Sequence, residues 1–221
     1  MREPLLSARG VSVRFGGLVA VNGVDLDVHA GELVGIIGPN GAGKTTFFHT
    51  LSGVLAPTAG RVFVAGDDLT GRPPHAFAAH GLARTFQTPR VFKEMPAIDN
   101  VRFGLEFAGR TRHHAHDAFD DAGTILEFLG LADAAAVPAG GLTHAEVDLT
   151  AQLIRRVRDE LGLAVIWIEH AVRVLMNYVE RVAVLHQGRK IADGDPRAVA
   201  RDPAVVEAYL GEEGEPDRRA A

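Results

Sequence analysis

Among its 221 residues the chain has no cysteine, which excludes disulfides, thiol catalysis and thiolate metal sites and suits a reducing, cytosolic setting. It also lacks any run of about eighteen consecutive apolar residues, so no helical membrane span is expected. The opening MREPLLSARG has only a two-residue apolar run and is not expected to act as a signal peptide. Positive charge is in short supply as well. Lys and Arg number 23 against 28 Asp and Glu, the formal net charge is -5, and no long basic run breaks the pattern. No nucleic-acid partner is therefore expected. Any work done at a membrane would be done from the water side. What is abundant is apolar surface, 47% of residues, enough for one sizeable core or one domain with a smaller lobe.

The most informative stretch is LVGIIGPNGAGKTTFFHTLSG, residues 33 to 53. An apolar strand (Leu33, Val34, Ile36, Ile37) runs through a glycine-rich turn into a helix, and Gly38 to Thr45 fits G-x-x-x-x-G-K-[ST] in full. Backbone N–H groups can surround a phosphate only where no Cβ intervenes, which is why Gly38, Gly41 and Gly43 belong there. The helix that follows directs its positive dipole end at the same phosphates. Lys44 is spaced to reach the β- and γ-phosphates, and the Thr45 hydroxyl can complete the shell of a Mg²⁺ ion. Phe47, Phe48 and Leu51 give the helix one buried face, and Gly53 stops it.

Before this loop, residues 5 to 15 and 18 to 28 alternate with period two around Gly16-Gly17, the pattern of an antiparallel hairpin. Phe15 at its tip can stack on a nucleobase or be an edge-of-core phenylalanine. After the loop, two short strands are expected at Arg61 to Val64 and at Leu69, joined by Gly66-Asp67-Asp68, then a helix opened by Pro73-Pro74 and running to His80. A strand is expected over Leu82 to Phe86, with Gln87 directly after it. Residues 88 to 100 read as a loop whose Val91, Phe92 and Met95, rimmed by Arg90, Lys93 and Glu94, are either a docking surface or folded onto the core. From Val101 to Val137 the period is mixed: Val101, Phe103, Leu105 and Phe107 alternate like a strand, whereas Ile125, Leu126, Phe128 and Leu129 fit a helix. A mostly helical lobe is expected there. His113, His114, His116 and Asp117 within it suit Zn²⁺ or Ni²⁺, or simply a polar linker.

The last third carries clear signals. Thr143 to Glu146 is a capping box for a helix burying Leu149, Leu153, Ile154, Val157 and Leu161, ended by Gly162. Ala164 to Ile168 is a buried strand leading to Glu169 and His170; Val172 to Val179 is a helix. Strands at Val182 to His186 and Lys190 to Ala192 flank Gln187-Gly188, and Asp195-Pro196 and Asp202-Pro203 each open a short helix. The polar tail, 212 to 221, is expected to be disordered.

Together these motifs resemble the nucleotide-binding subunits of ATP-binding cassette transporters over nearly the whole chain. The hairpin with Phe15, the phosphate loop, Gln87 closing its strand and Ile168-Glu169-His170 match that family's elements in order. GLARTFQTPRVFKEMPAIDNV (81 to 101) and VVEAYLG (205 to 211) look like the subunit that energises branched-chain amino acid uptake. The resemblance implies an α/β fold: a P-loop NTPase core with a mostly parallel sheet, an N-terminal antiparallel β subdomain and a shortened helical lobe at about 101 to 140, in one domain over residues 1 to 211. It implies ATP and Mg²⁺ as ligands. Phe15 would stack on adenine, and Gly38, Pro39, Asn40, Gly41, Ala42, Gly43, Lys44, Thr45 and Thr46 would hold the phosphates. Thr45 and Gln87 would serve the metal, and Gln87 and His170 the reaction. The implied partners are a second cassette subunit, identical or not, and membrane permease subunits met through residues 88 to 100, at the cytoplasmic face of the cell membrane.

One departure matters. The family's signature segment, close to L-S-G-G-Q, and its apolar strand ending in Asp-Glu are missing: LADAAAVPAG (131 to 140) leads straight into Gly141-Leu142-Thr143-His144. A helix and a strand, roughly thirty residues at typical lengths, are absent near Ala139 to Gly141. This implies a chain that binds nucleotide and hydrolyses it poorly or not at all, since the acid that aligns water is gone. The missing strand is expected beside the phosphate-loop strand, leaving a gap or forcing its neighbours together. Two other readings share the residues: a non-hydrolytic module using ATP as a structural ligand, and another P-loop NTPase with Glu169, after Val165 to Ile168, as its acid.

Overall fold

The structure is a computed structural model, and it describes residues 3–85, 91–108, 119, 121–139, 147–168 and 172–213. Gln87, Glu169, His170, the histidine cluster at 113 to 116 with Asp117, and the capping box at 143 to 146 lie outside the described residues.

Two four-stranded sheets carry the fold. The first is antiparallel, in the order β2-β1-β4-β5, built from β1 (Leu6–Phe15), β2 (Leu18–Val28), β4 (Ala59–Val64) and β5 (Asp67–Asp68). Phe15 pairs with Leu18 across Gly16-Gly17, as the alternation required. The turn between β4 and β5 is Ala65-Gly66, both at positive φ, so Asp67 and Asp68 are strand residues and Leu69 lies beyond them. That corrects the expected turn, because a two-residue hairpin loop matches strand twist only with both residues left-handed.

The second sheet runs β6-β3-β7-β8: β3 (Leu33–Ile37), β6 (Val165–Ile168), β7 (Arg181–His186) and β8 (Arg189–Gly194). β3 is parallel to both neighbours, Leu33 to Ile36 facing Val165 to Ile168 and Val34 to Ile37 facing Arg181 to Val184. Of the two expected outcomes, a gap beside β3 or its neighbours brought together, the pairing on both sides of β3 matches the second; among the described residues the edges of this sheet are β6 and β8. Both faces of β3 are covered, which explains its unbroken apolar run. Val34 and Ile36 join a core with β1, β2, Phe47 and Phe77, while Leu33 and Ile37 join a second core with Trp167, Leu175, Val182 and Val184. Gly35 is required by close packing, since a Cβ there would run into the Leu175 side chain.

The helices are α1 (Lys44–Leu51), α2 (Pro74–Ala79), α3 (Ala97–Ala108), α4 (Ala122–Phe128), α5 (Val147–Leu161), α6 (Val172–Tyr178), α7 (Pro196–Val199) and α8 (Pro203–Glu213). Three expectations change. Residues 82 to 85 form no strand; Arg84 instead donates to Ser52 Oγ (3.0 Å) and lies over the Phe48 ring, which ties this segment to the end of α1. The loop at 88 to 100 gives way to α3 at Ala97, and the alternating residues from Val101 onward are helical. Among the described side chains of α5, residues 151 to 161, the buried ones are Ala151 and Arg158, with Leu153, Ile154, Val157 and Leu161 only half-buried; the side chain of Leu149 lies outside the described ones. Arg158 is accommodated because its guanidinium pairs with Glu180, whose other oxygen accepts from Leu33 N–H, joining α5 to the start of β3. Glu212 and Glu213 belong to α8 rather than to the tail.

A charged cluster locks the two sheets together. Arg181 donates to Asp193, Glu32 and the Asp27 carbonyl, and Lys190 donates to Asp193. Burial pushes the Asp193 carboxyl up, but hydrogen bonds from Arg181 and Lys190 outweigh it and leave the carboxyl below its ordinary value. A depressed folded-state value means stability that is present above the unfolded carboxylate value of about 4 and is lost as pH falls through the folded one. Urea unfolding should therefore give a steady midpoint from about pH 5 to 8 and a falling one below about pH 4. Asp193→Asn should lower the midpoint at neutral pH and flatten the acid limb; an acid limb identical to wild type would contradict this.

Candidate nucleotide-binding site

The site begins where β3 hands over to α1. Gly38 and Pro39 are buried, Asn40 and Gly41 reach the surface, and Gly43, at φ 97, is the N-cap of α1. No side chain caps this helix and its first turn has no acidic residue, so the amides that open it and the positive end of its dipole are available to an anion. The Lys44 side chain is buried, with Nζ donating to the carbonyls of Gly38 and of Pro39, the latter at 2.7 Å. Burial, then the nearby Arg84 charge, push the His49 imidazole below its ordinary value, so Lys44 is the only cation on α1 at neutral pH.

Above the loop lies a cavity of about 510 Å³ lined by Phe15, Leu18, Val19, Ala20, Asn40, Gly41, Ala42, Gly43, Lys44, Thr45, Thr46, Gln187 and Gly188. One wall is apolar and comes from the hairpin; another is made of the loop and the first turn of α1. Phe15 is 50% exposed and lines this cavity. Gly41 has open space around a would-be Cβ, which is the clearance a phosphate needs against the backbone. Gly38 and Pro39 act from behind, as the carbonyls that hold Lys44. A second cleft, beside Asp67, Arg72 and His80 in the antiparallel sheet, contains no loop residue.

Of the residues expected from sequence, Phe15 and Asn40 to Thr46 thus surround one cavity. The turn Gln187-Gly188 was missed as part of it. Gly188 N–H donates to the Ala42 carbonyl (3.0 Å) and Asn22 N–H to the Gly188 carbonyl (2.7 Å), so the β7–β8 hairpin is pinned against both phosphate loop and β2. Nothing local in the sequence announces that long-range contact. The residues present fit a nucleoside triphosphate with Mg²⁺: an uncapped helix start, a buried ammonium, an unobstructed glycine and two threonine hydroxyls.

In the segment expected to dock, Val91 and Phe92 are exposed, and Phe92 stacks edge-on against Phe103 at 5.0 Å. Asn100 holds this turn by accepting from Phe92 N–H and donating to the carbonyls of Phe92 and Pro96. Val91 and Phe92 are held on the surface, whereas Met95 is half-buried.

A family profile described as ABC transporter matches residues 21–157, and one described as branched-chain amino acid ATP-binding cassette transporter matches residues 189–215. The chain belongs to the ABC transporter family, on the side of its ATP-binding subunits. It is similar to the high-affinity branched-chain amino acid transport ATP-binding protein BraF of Pseudomonas aeruginosa, 35% identical with 96% of this chain and 100% of that protein covered. It is equally similar to LivG of Escherichia coli, of the same description, 35% identical with the same coverage. Among solved structures, an ATP-binding cassette of an ABC transporter in its ADP conformation superposes with TM-score 0.81 at 27% identity, covering 95% of this chain and 100% of that one. The fold is therefore that of the cassette ATPases. The BraF alignment spans 254 positions, whereas 96% of 221 residues is about 212, so roughly forty positions of the relative face no residue here. No helix among the described residues is long and apolar enough to cross a membrane.

Proposed function

We propose that this chain is the ATP-binding subunit of an importer for branched-chain or other hydrophobic amino acids, peripheral on the cytoplasmic face of the cell membrane. It pairs with a second cassette subunit and meets permease subunits through residues 88 to 100. The observation that carries this reading is the single cavity joining Phe15 to the uncapped start of α1 and the buried Lys44 ammonium. Phe15 stacks on adenine, the amides of residues 41 to 46 and Lys44 hold the phosphates, and Thr45 serves Mg²⁺. Mg²⁺ held there would supply charge neutralisation at the phosphates. The printed descriptions of the relatives support the importer assignment. Gln87 and His170 keep the roles the resemblance gives them.

A second reading is favoured by the forty or so unmatched positions: the chain binds ATP as a structural ligand and leaves hydrolysis to a partner. Without the Asp-Glu strand, the family's own acid for aligning the attacking water is missing.

The test of nucleotide binding is a calorimetric titration of the purified chain with Mg-ATP, wild type against Lys44→Ala. Loss of a charge-assisted contact should weaken binding at least about ten-fold. Equal affinities would remove the basis of both readings. Steady-state phosphate release in the presence of the permease then separates them, because release abolished by His170→Ala supports the enzyme and no release supports the module.

A further inference from the structure

The hairpin turn between β7 and β8 does more than reverse the chain. Gln187 and Gly188 both have positive φ, 47° and 76°, the requirement of the tightest hairpin loop, in which Asn or Gly is the ordinary first residue. The turn geometry explains the backbone but not the choice of a long amide side chain. In the other hairpin with the same backbone, Ala65-Gly66, the first residue is an alanine. The difference between them is location: Gln187 lines the nucleotide cavity and is solvent-exposed there.

The division of chemistry around that cavity is uneven. Phe15, Leu18, Val19 and Ala20 make an apolar wall fit for a base. Asn40, Lys44, Thr45 and Thr46 carry polar groups, all on the loop or α1 and all placed for phosphates. Among the described residues the one polar lining side chain from anywhere else is Gln187. Between a stacked base and a held triphosphate lies the sugar, whose hydroxyls both donate and accept, and a carboxamide does both as well. Gly188 fixes the position of this side chain: its N–H is bonded to Ala42, and a Cβ on it would press on the Ala20 carbonyl.

We infer that Gln187 is a nucleotide-binding residue that hydrogen-bonds the ribose hydroxyls. The inference rests on the nucleotide reading of the site. It makes the β7–β8 turn the third wall of the pocket.

The experiment is a set of titrations with ATP, 2′,3′-dideoxy-ATP and inorganic tripolyphosphate on wild type, Gln187→Ala and Gln187→Gly. Ala65 in the matching hairpin shows that alanine is accommodated in this backbone. Gln187→Ala should bind ATP about three- to ten-fold more weakly and tripolyphosphate as tightly as wild type, as expected for one lost hydrogen-bonding group. Wild type should lose the same factor on dideoxy-ATP, and the variant should not distinguish the two nucleotides. Gln187→Gly relieves the backbone, so it should melt about 2 °C or more higher and still bind ATP weakly, a combination that a purely structural role would not give. Unchanged ATP affinity in Gln187→Ala, equal loss on tripolyphosphate, or no preference of wild type for ATP over its dideoxy form would each overturn the inference. Wild type that binds neither ATP nor tripolyphosphate would overturn it together with the proposed function.

Discussion

Inserting the helix and strand of a hydrolytic relative between Ala139 and Gly141 should raise Mg-ATP turnover from background by at least about a thousand-fold, the scale of groups that brace charge or position water in phosphoryl transfer. Two independent observations are consistent with a shortened chain. The relatives have roughly forty positions with no counterpart here, and the parallel sheet ends at β6, which among the described residues pairs with β3 alone. Alternate residues of a strand direct their backbone groups to opposite sides. Val165 N–H donates to the Glu32 carbonyl on the β3 side, so Ile166 and Ile168 direct theirs outward, and all four residues of the strand are apolar. An apolar edge with outward N–H and C=O groups can accept one more parallel strand, and left open it is a site for unwanted pairing. The restored chain should therefore also aggregate less. The control is Lys44→Ala in the restored chain, which should return phosphate release to background. If the restored chain folds, binds ATP and is no faster than the original, the shortened segment is not what limits hydrolysis, and a P-loop NTPase using Glu169 becomes the better account.

Gly38→Ala should destabilise the chain by about 3 kcal/mol or more, the range of backbone strain combined with a clash in packed structure, and lower the melting temperature by roughly 6 to 12 °C at this size. Gly38 has φ 148, and a Cβ there would overlap the Leu185 carbonyl and press on the Ala42 side chain. Neither can yield easily. Leu185 is buried in β7 and paired with β8, and Ala42 carries the carbonyl that receives Gly188. Gly41→Ala is the informative contrast: its φ of 78 is strained for alanine, but the Cβ would meet nothing within 4 Å. It should cost about 1 kcal/mol of stability and, because Gly41 lines the cavity, reduce ATP affinity. Equal melting temperatures for Gly38→Ala and wild type would show that the strand-to-loop junction is looser than described.

The phosphate loop was legible in the sequence because every residue type in it answers a local need: glycines for clearance, a lysine for charge, a helix beginning at once. The hairpin of β1 and β2 was legible for the same reason, alternation around a Gly-Gly turn. Where reading failed, side chains were serving surfaces the local pattern does not describe. Val101, Phe103, Leu105 and Phe107 alternate, yet Phe103 is 45% exposed and stacks on Phe92; among the described side chains of α3 the inward apolar set is Ala97, Ile98, Val101 and Leu105, at helical spacing. Leu82 to Phe86 reads as a strand, but in its described part, residues 82 to 85, Arg84 is drawn to Ser52 and Phe48. Gln187-Gly188 was legible as a turn and not as a wall of the cavity, because its contacts with Ala42 and Asn22 join residues far apart in the chain. That β6 and β7 are the strands flanking β3 was not legible, because the order of parallel strands depends on crossovers, and no strand's own sequence records them.

The most direct test of the account is a crystal structure of the chain with Mg-ATP. The triphosphate should lie against the amides of residues 41 to 46, with Lys44 Nζ turned from the Gly38 and Pro39 carbonyls to the phosphates and the base on Phe15. Nucleotide density elsewhere, or a loop still holding Lys44 on its own carbonyls at saturating Mg-ATP, would contradict it.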